Sequence, residues 1–169
     1  GVGNIVLIDR DIIELSNLQR QSLFVESDIR KTKANIAKEK LLAINSSIRI
    51  TAHATHLQKN NMQNIISPST TIVLDCTDNI KTRLLLNDYC REQKIPWIYA
   101  AAVGMMGSFA FISPNGPCLR CFLPENAKGD TCSQIGVLGT LTHIIASMQA
   151  TLCMKYIIEE KISENNLTY

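Results

Sequence analysis

Two short apolar runs, each ending in an acid, constrain this chain more than any other feature. Ile5-Val6-Leu7-Ile8 runs into Asp9, and Thr71-Ile72-Val73-Leu74 runs into Asp75. The first, bounded by Gly1 and Gly3 on one side and acids on the other, reads as a buried strand of a parallel sheet. Helical patterns lie between and after these runs. Lys33 to Ile44 carries Ile36, Ala37, Leu41 and Ile44 at helical spacing, and Asn45-Ser46-Ser47 stops it. Ile48, Ile50 and Ala52 then alternate as a short strand. Gln58 to Ile66 reads as a short helix ended by Ser67-Pro68, and Asp78 or Asn79 can cap a helix reaching about Gln93. Trp97 to Ala101 reads as a further strand. Gly104 and Gly107 frame a turn into Ser108 to Ile112, a hairpin-like return. Residues 113 to 135 are rich in Pro, Gly and polar groups, and a last helix is expected from Gly139 to Ile158. This alternation predicts an α/β, Rossmann-like fold: a mostly parallel sheet with helices on both faces, continuing into an antiparallel hairpin, in a single domain over residues 1–169.

Composition narrows the class. With 169 residues, 46% of them hydrophobic, the chain can bury a sizeable core. A net charge of +2 with no basic cluster argues for neither nucleic acid nor membrane as a partner. No uninterrupted apolar stretch of about 18 residues exists, so no membrane-spanning helix is expected. Six cysteines at scattered spacings do not make the dense framework of a small secreted protein, which points to a reduced, cytoplasmic setting.

The candidate site begins with Asp9. An acid at the carboxyl end of such a strand is where a nucleotide-binding sheet places its ribose ligand. Taken alone, Asp9 and Asp11 are also simply acids at a strand end facing solvent. Arg20 in a polar loop and Lys33 at a helix start bring two cations, and Asp78 follows the second acid-ended strand. A ribose acid, two phosphate-neutralising cations and a metal-competent carboxylate point to ATP rather than NAD. Lys33 opposes the helix macrodipole, a cost that an anionic phosphate would offset. Asp75 reads as a strand-end or capping group. Cys118-x-x-Cys121 fits half of a tetrahedral zinc site or, equally, a redox pair. Cys132 stands in the polar stretch Gly129 to Gln134. Cys76, Cys90 and Cys153 fit core packing, and His53, His56 and His143 read as structural.

Asp9-Arg10-Asp11, Asn17-Leu18-Gln19-Arg20-Gln21, Lys33, Asp75-Cys76-Thr77-Asp78-Asn79 and Cys118-Leu119-Arg120-Cys121, in this order, resemble the ThiF/MoeB/HesA family. These are bacterial relatives of ubiquitin-activating enzymes that adenylate the C-terminal glycine of a ubiquitin-like sulfur carrier. The resemblance covers Gly1 to about Ile158. It implies an ATP site made by Asp9, Asp11, Asn17, Arg20, Gln21, Lys33 and Asp78, with Arg20 on the phosphates and Asp78 on Mg²⁺. It also implies Zn²⁺ at Cys118 and Cys121, and a role for Cys132 in accepting the activated acyl group or in sulfur transfer. The implied partner is a ThiS- or MoaD-like carrier serving thiamine or molybdopterin synthesis, and the implied assembly at full length is a homodimer.

Two features depart from the family pattern. No Gly-x-Gly-x-x-Gly turn occurs, and one Cys-x-x-Cys pair is present where the family has two. The expectation is a fragment cut at both ends, lacking the first strand-turn-helix unit and the second cysteine pair. Two other functions fit the motifs: a non-catalytic relative that binds a ubiquitin-like partner, and a tRNA-modifying dehydratase of the same superfamily. The complete Asn-Leu-Gln-Arg-Gln run and the Cys-x-x-Cys pair weigh against the latter. A dehydrogenase would leave the cations and Asp78 without a purpose.

Overall fold

In the computed structural model, which describes residues 2–123 and 136–159, the first apolar run forms β1 (Asn4–Ile8). Contacts separate two units, one ending at Ile65 and one starting at Ile66. In the first, β1 pairs in parallel with β2 (Arg49–His53), in register from Asn4 opposite Arg49 to Ile8 opposite His53. The connection passes through α1 (Lys33–Ile44), which packs on both strands and buries Ala34 and Ile36. Here the sequence expectation needs correcting: β1 is not fully buried, and Val6 is 44% exposed. Successive side chains alternate between faces, and Asn4 and Val6 share the more accessible one.

The long link from β1 to α1 is pinned rather than loose. Ile12 and Thr32 form an antiparallel bridge, Ile13 N–H donates to Lys31 O at 2.8 Å, and Arg30 N–H donates to Ile13 O at 2.9 Å. Ile13 is fully buried and anchors the crossing. Asp28, also buried, accepts from Val25 N–H at 3.0 Å and pairs with Lys40 of α1 and with Lys31 at 3.8 Å. The helix expected from Gln58 to Ile66 shrinks to α2 (Met62–Ile65). Its first residues turn instead, because Asn61 Oδ1 takes the Gln58 N–H at 2.8 Å, the local competition that short amide side chains offer a helix.

In the second unit, β3 (Val73–Leu74) pairs in parallel with β4 (Trp97–Val103), which pairs antiparallel with β5 (Met106–Ile112). The parallel register continues past β3 through Asp75 N–H to Ile98 O at 2.9 Å. Gly104, at φ 59°, opens the two-residue turn of the predicted hairpin, a conformation that a side chain would strain. Between β3 and β4 runs α3 (Ile80–Glu92), capped by Asn79, whose Oδ1 accepts from Thr82 N–H at 2.9 Å. One helical turn, α4 (Leu119–Phe122), precedes α5 (Gly139–Glu159). Helix α5 lies on β4 and β5, where Ile145 meets Ala100 and Phe109, and Cys153 meets Ile98 and Phe111. Gly107 lets α5 come this close: a Cβ there would stand 2.6 Å from the Cγ1 and Cδ1 of Ile145. Mixed α/β architecture with parallel pairs leading into a hairpin is the predicted fold. Among the described residues, no helix is long and apolar enough to cross a membrane.

Candidate functional site

The first unit gathers one group of predicted site residues at the carboxyl end of β1. Asp9 extends the strand, its N–H donating to His53 O at 3.1 Å, and its Oδ1 accepts from Asp11 N–H at 2.8 Å. The pinned link brings Lys33 to the same place, with Lys33 N–H on Asp11 O at 2.9 Å. The Lys33 ammonium is 3.5 Å from Asp11 Oδ2, and the Lys33 side chain as a whole is 12% exposed. Asp11 therefore supplies in the fold the counter-charge that the sequence reading assigned to a phosphate, while Arg10 shares the same carboxylate at 3.6 Å.

The Asn17–Gln21 segment forms a tight turn. Asn17 is buried, and its Oδ1 accepts from Glu14 N–H at 3.2 Å, closing the turn that precedes it. Its carbonyl takes the N–H groups of Arg20 and Gln21, both at 3.0 Å. Arg20 Nη1 donates to Ser16 O at 3.2 Å, and among the described residues its guanidinium meets no carboxylate. Gln21 Oε1 is buried with no hydrogen-bond partner among the described residues, a position that a ligand donor would satisfy. The corner of Asp9, Asp11 and Lys33 and the orphaned Gln21 acceptor are polar groups that this unit offers a ligand.

The second unit holds the remaining candidates. Asp78 is exposed on the loop between β3 and α3. Asp75, three residues earlier, is fully buried, and its Oδ1 accepts from both Thr77 N–H at 2.9 Å and Thr77 Oγ1 at 2.7 Å. Its Oδ2 lies 3.2 Å from Arg83 Nε. Burial pushes the Asp75 carboxyl up, while Arg83 and the two Thr77 donors pull it back. Gln149, on α5 and 3% exposed, donates to the carbonyls of Asp75 at 2.8 Å and Ile98 at 2.9 Å, clamping two strand ends. Sequence reasoning missed Arg83 and Gln149. Their signal was present: each is a polar residue inside a helix beside apolar neighbours. Cys76, expected in the core, is exposed, because the chain has already left the β3 ladder when it reaches that residue.

Cys118 and Cys121 meet with their sulfurs 3.8 Å apart. A tetrahedral zinc site with metal–sulfur bonds of about 2.3 Å has an edge of about 3.8 Å, so the pair is spaced as two of its corners. Burial pushes the Cys118 thiol up. Backbone N–H groups of Arg120 and Cys121, the Cys121 thiol and the Asn87 amide outweigh it and hold Cys118 below the ordinary thiol range. Helix α3 braces this knuckle: Asn87 Oδ1 accepts from Leu119 N–H at 2.8 Å, and Asp88 takes Arg120 in a two-pronged pair at 2.8 and 2.6 Å. No group of three or more metal-ligating side chains occurs among the described residues. Cys132 lies outside the described residues.

The family model described as the ThiF family matches residues 1–169. The chain is 35% identical over 165 residues to the Sulfur carrier protein ThiS adenylyltransferase of Bacillus subtilis, covering 95% of this chain and 49% of that protein. It is 41% identical over 166 residues to a Probable molybdopterin-synthase adenylyltransferase of Porphyra purpurea, covering 95% and 43% respectively. To the SAMP-activating enzyme E1 of Haloferax volcanii it is 36% identical, over 95% of this chain and 60% of that protein. The chain thus spans about half the length of the curated relatives it matches. The crystal structure of Escherichia coli MccB with ATP superposes with a TM-score of 0.82 at 24% identity, over 99% of this chain and 56% of that one, a likeness of fold. The chain belongs to the ThiF family.

Proposed function

We propose that this chain is the ATP-binding core of an adenylyltransferase acting on the C-terminal glycine of a ubiquitin-like sulfur carrier. The observation that carries the reading is the assembly at the end of β1, where Asp11 joins Asp9 and the largely buried Lys33 side chain in one pinned corner. Asp9 is the ribose ligand, Lys33 and Arg20 face phosphate charge, and Asn17 and Gln21 complete the polar wall. The carrier's terminal carboxylate, with an ordinary pKa of about 3.3–3.7, is ionised at neutral pH and needs no general base. It attacks the α-phosphorus; a phosphorus–oxygen bond to the carboxylate forms, the bond to the β-phosphate bridge breaks, and pyrophosphate leaves. Positioning two anions against each other and stabilising the leaving group are the tasks of such a site.

Mg²⁺ held by Asp78 would add charge neutralisation on the phosphates. Zn²⁺ would be held by Cys118 and Cys121 with two ligands outside the described residues, in a structural role. Cys132 is the candidate acceptor of the activated acyl group or participant in sulfur transfer. Relatives named for thiamine-type and molybdopterin-type carriers make both carrier classes substrates to try, and a cytoplasmic homodimer is the expected form of the natural full-length protein.

The test is ATP–pyrophosphate exchange by the natural full-length protein with ThiS-like and MoaD-like carriers. Carrier-dependent exchange is expected, and Arg20→Ala should lower it at least tenfold while leaving the unfolding midpoint unchanged. Normal exchange by folded Arg20→Ala would remove that residue from the phosphate site. Carrier binding without exchange by the unmutated protein would favour a non-catalytic binding module.

A further inference from the structure

We propose that Arg83 is the positioning residue for Asp78, setting from behind where that exposed carboxylate stands. The inference rests on the reading of Asp78 as the Mg²⁺ ligand, and it begins with the peptide geometry of the loop. Thr77 is held at all of its polar groups: its N–H and Oγ1 donate to Asp75 Oδ1, and its carbonyl accepts from Arg83 Nη2 at 2.5 Å. The Thr77 carbonyl and the Asp78 N–H belong to one planar peptide unit, so fixing the carbonyl fixes the plane from which Asp78 departs. On the other side, Asn79 is fixed as the cap of α3. Asp78 is therefore clamped at both ends, although its own side chain is free to meet solvent or an ion.

Arg83 is itself fixed by groups that leave it little freedom. Nη2 also donates to Ala100 O at 3.0 Å, the guanidinium carbon lies 5.3 Å from the centroid of the Tyr99 ring, and Nε faces Asp75 Oδ2 at 3.2 Å. The side chain is only 12% exposed. Nε and Oδ2 are both buried without an aligned hydrogen bond, so they act on each other as charges. Gln149 holds the Asp75 carbonyl from α5 and closes the clamp. This arrangement needs a planar, multi-pronged cation: a lysine ammonium cannot sit over Tyr99 while reaching both carbonyls and the carboxylate.

Arg83→Lys in the natural full-length protein tests this, read in two ways. Hydrogen–deuterium exchange of the peptide spanning Thr77 to Asn79, without nucleotide, should speed up at least tenfold, while α5 keeps its protection. The half-saturating Mg²⁺ concentration for ATP–pyrophosphate exchange should rise at least fivefold, with the KM for ATP changed less than twofold. Thr77→Val removes only one bond of the clamp. It should move both readings the same way by a smaller factor, and it serves if the lysine variant does not fold. Unchanged loop protection, or equal shifts for Mg²⁺ and ATP, would overturn the role. If the unmutated protein shows no exchange activity, the adenylyltransferase reading falls, and loop protection alone decides for or against Arg83.

Discussion

Asp75→Asn separates two acids that stand three residues apart. The change keeps the shape of a side chain with no exposure and removes its charge, leaving Arg83 buried without its counter-ion. Deleting one member of a buried pair typically costs about 3–5 kcal/mol. Two features place this case at the low end. Arg83 retains the carbonyls of Thr77 and Ala100 and the face of Tyr99, and burial already opposes ionisation of the carboxyl. A neutral acid there would strand the guanidinium, so the pair is taken as charged at neutral pH. The expected loss is about 3 kcal/mol, which lowers a urea midpoint by about 1–3 M at ordinary denaturant sensitivities. Asp78→Asn is expected to stay within about 0.5 kcal/mol of the parent, as exposed substitutions do, while weakening the Mg²⁺ dependence of adenylation more than nucleotide binding. Urea unfolding followed by circular dichroism measures the first pair of values. Asp75→Asn as stable as the parent would mean that the carboxyl is neutral in the fold. Loss of activity in a stable Asp75→Asn, with Asp78→Asn unaffected, would show that the metal acid was wrongly assigned.

Two further outcomes follow from packing and charge. Gly107→Ala places a methyl 2.6 Å from two Ile145 carbons, against an ordinary contact of about 3.5–4.0 Å. It should therefore destabilise by about 1–3 kcal/mol, and Ile145→Ala in the same chain should recover part of that loss in a double-mutant cycle, whereas strict additivity would refute the clash. Asp28 is held below its ordinary value of 3.8 by its hydrogen bond from Lys40 and by Val25 N–H. A carboxyl that is more acidic folded than unfolded stabilises fully above the unfolded value and loses that contribution as pH falls through the lower folded one. Asp28→Asn should flatten this part of an acid-unfolding curve, and an unchanged curve would sink the assignment.

How much could be read from the chain alone depended on the range of each interaction. Helix α1 was legible to the residue, because a polar Asn-Ser-Ser stop follows an apolar stripe of helical period. Asn79 was one of two local candidates for the cap, and the Gly104 turn was legible too, although Gly107, expected to frame it, lies inside β5 opposite Ala102. Cooperation between Asp11 and Lys33 was not, since it depends on the antiparallel bridge of Ile12 and Thr32 that folds the link back on itself. Arg83 and Gln149 escaped notice because their partners lie on other elements: Arg83 reaches Ala100, and Gln149 reaches Asp75 and Ile98. A polar side chain on a helix states its own donors and acceptors without naming the distant element that meets them. The accessible face of β1 was missed because four apolar residues in a row carry no record of what covers them.

Helix α3 has a further consequence as a gauge of fixed winding. Its cap, Asn79, belongs to the Asp78 loop, while Asn87 and Asp88 grip the backbone of Leu119 and the side chain of Arg120 beside the paired cysteines. From Asn79 to Asn87 the helix climbs about 12 Å and winds about 2.2 times. One residue gained or lost between them would swing the gripping amide by about 100° and aim it away from the knuckle, even with every other residue unchanged. The length of α3 is thus held in phase at both ends, and the knuckle and the acidic loop keep one angular setting for as long as that helix keeps its count.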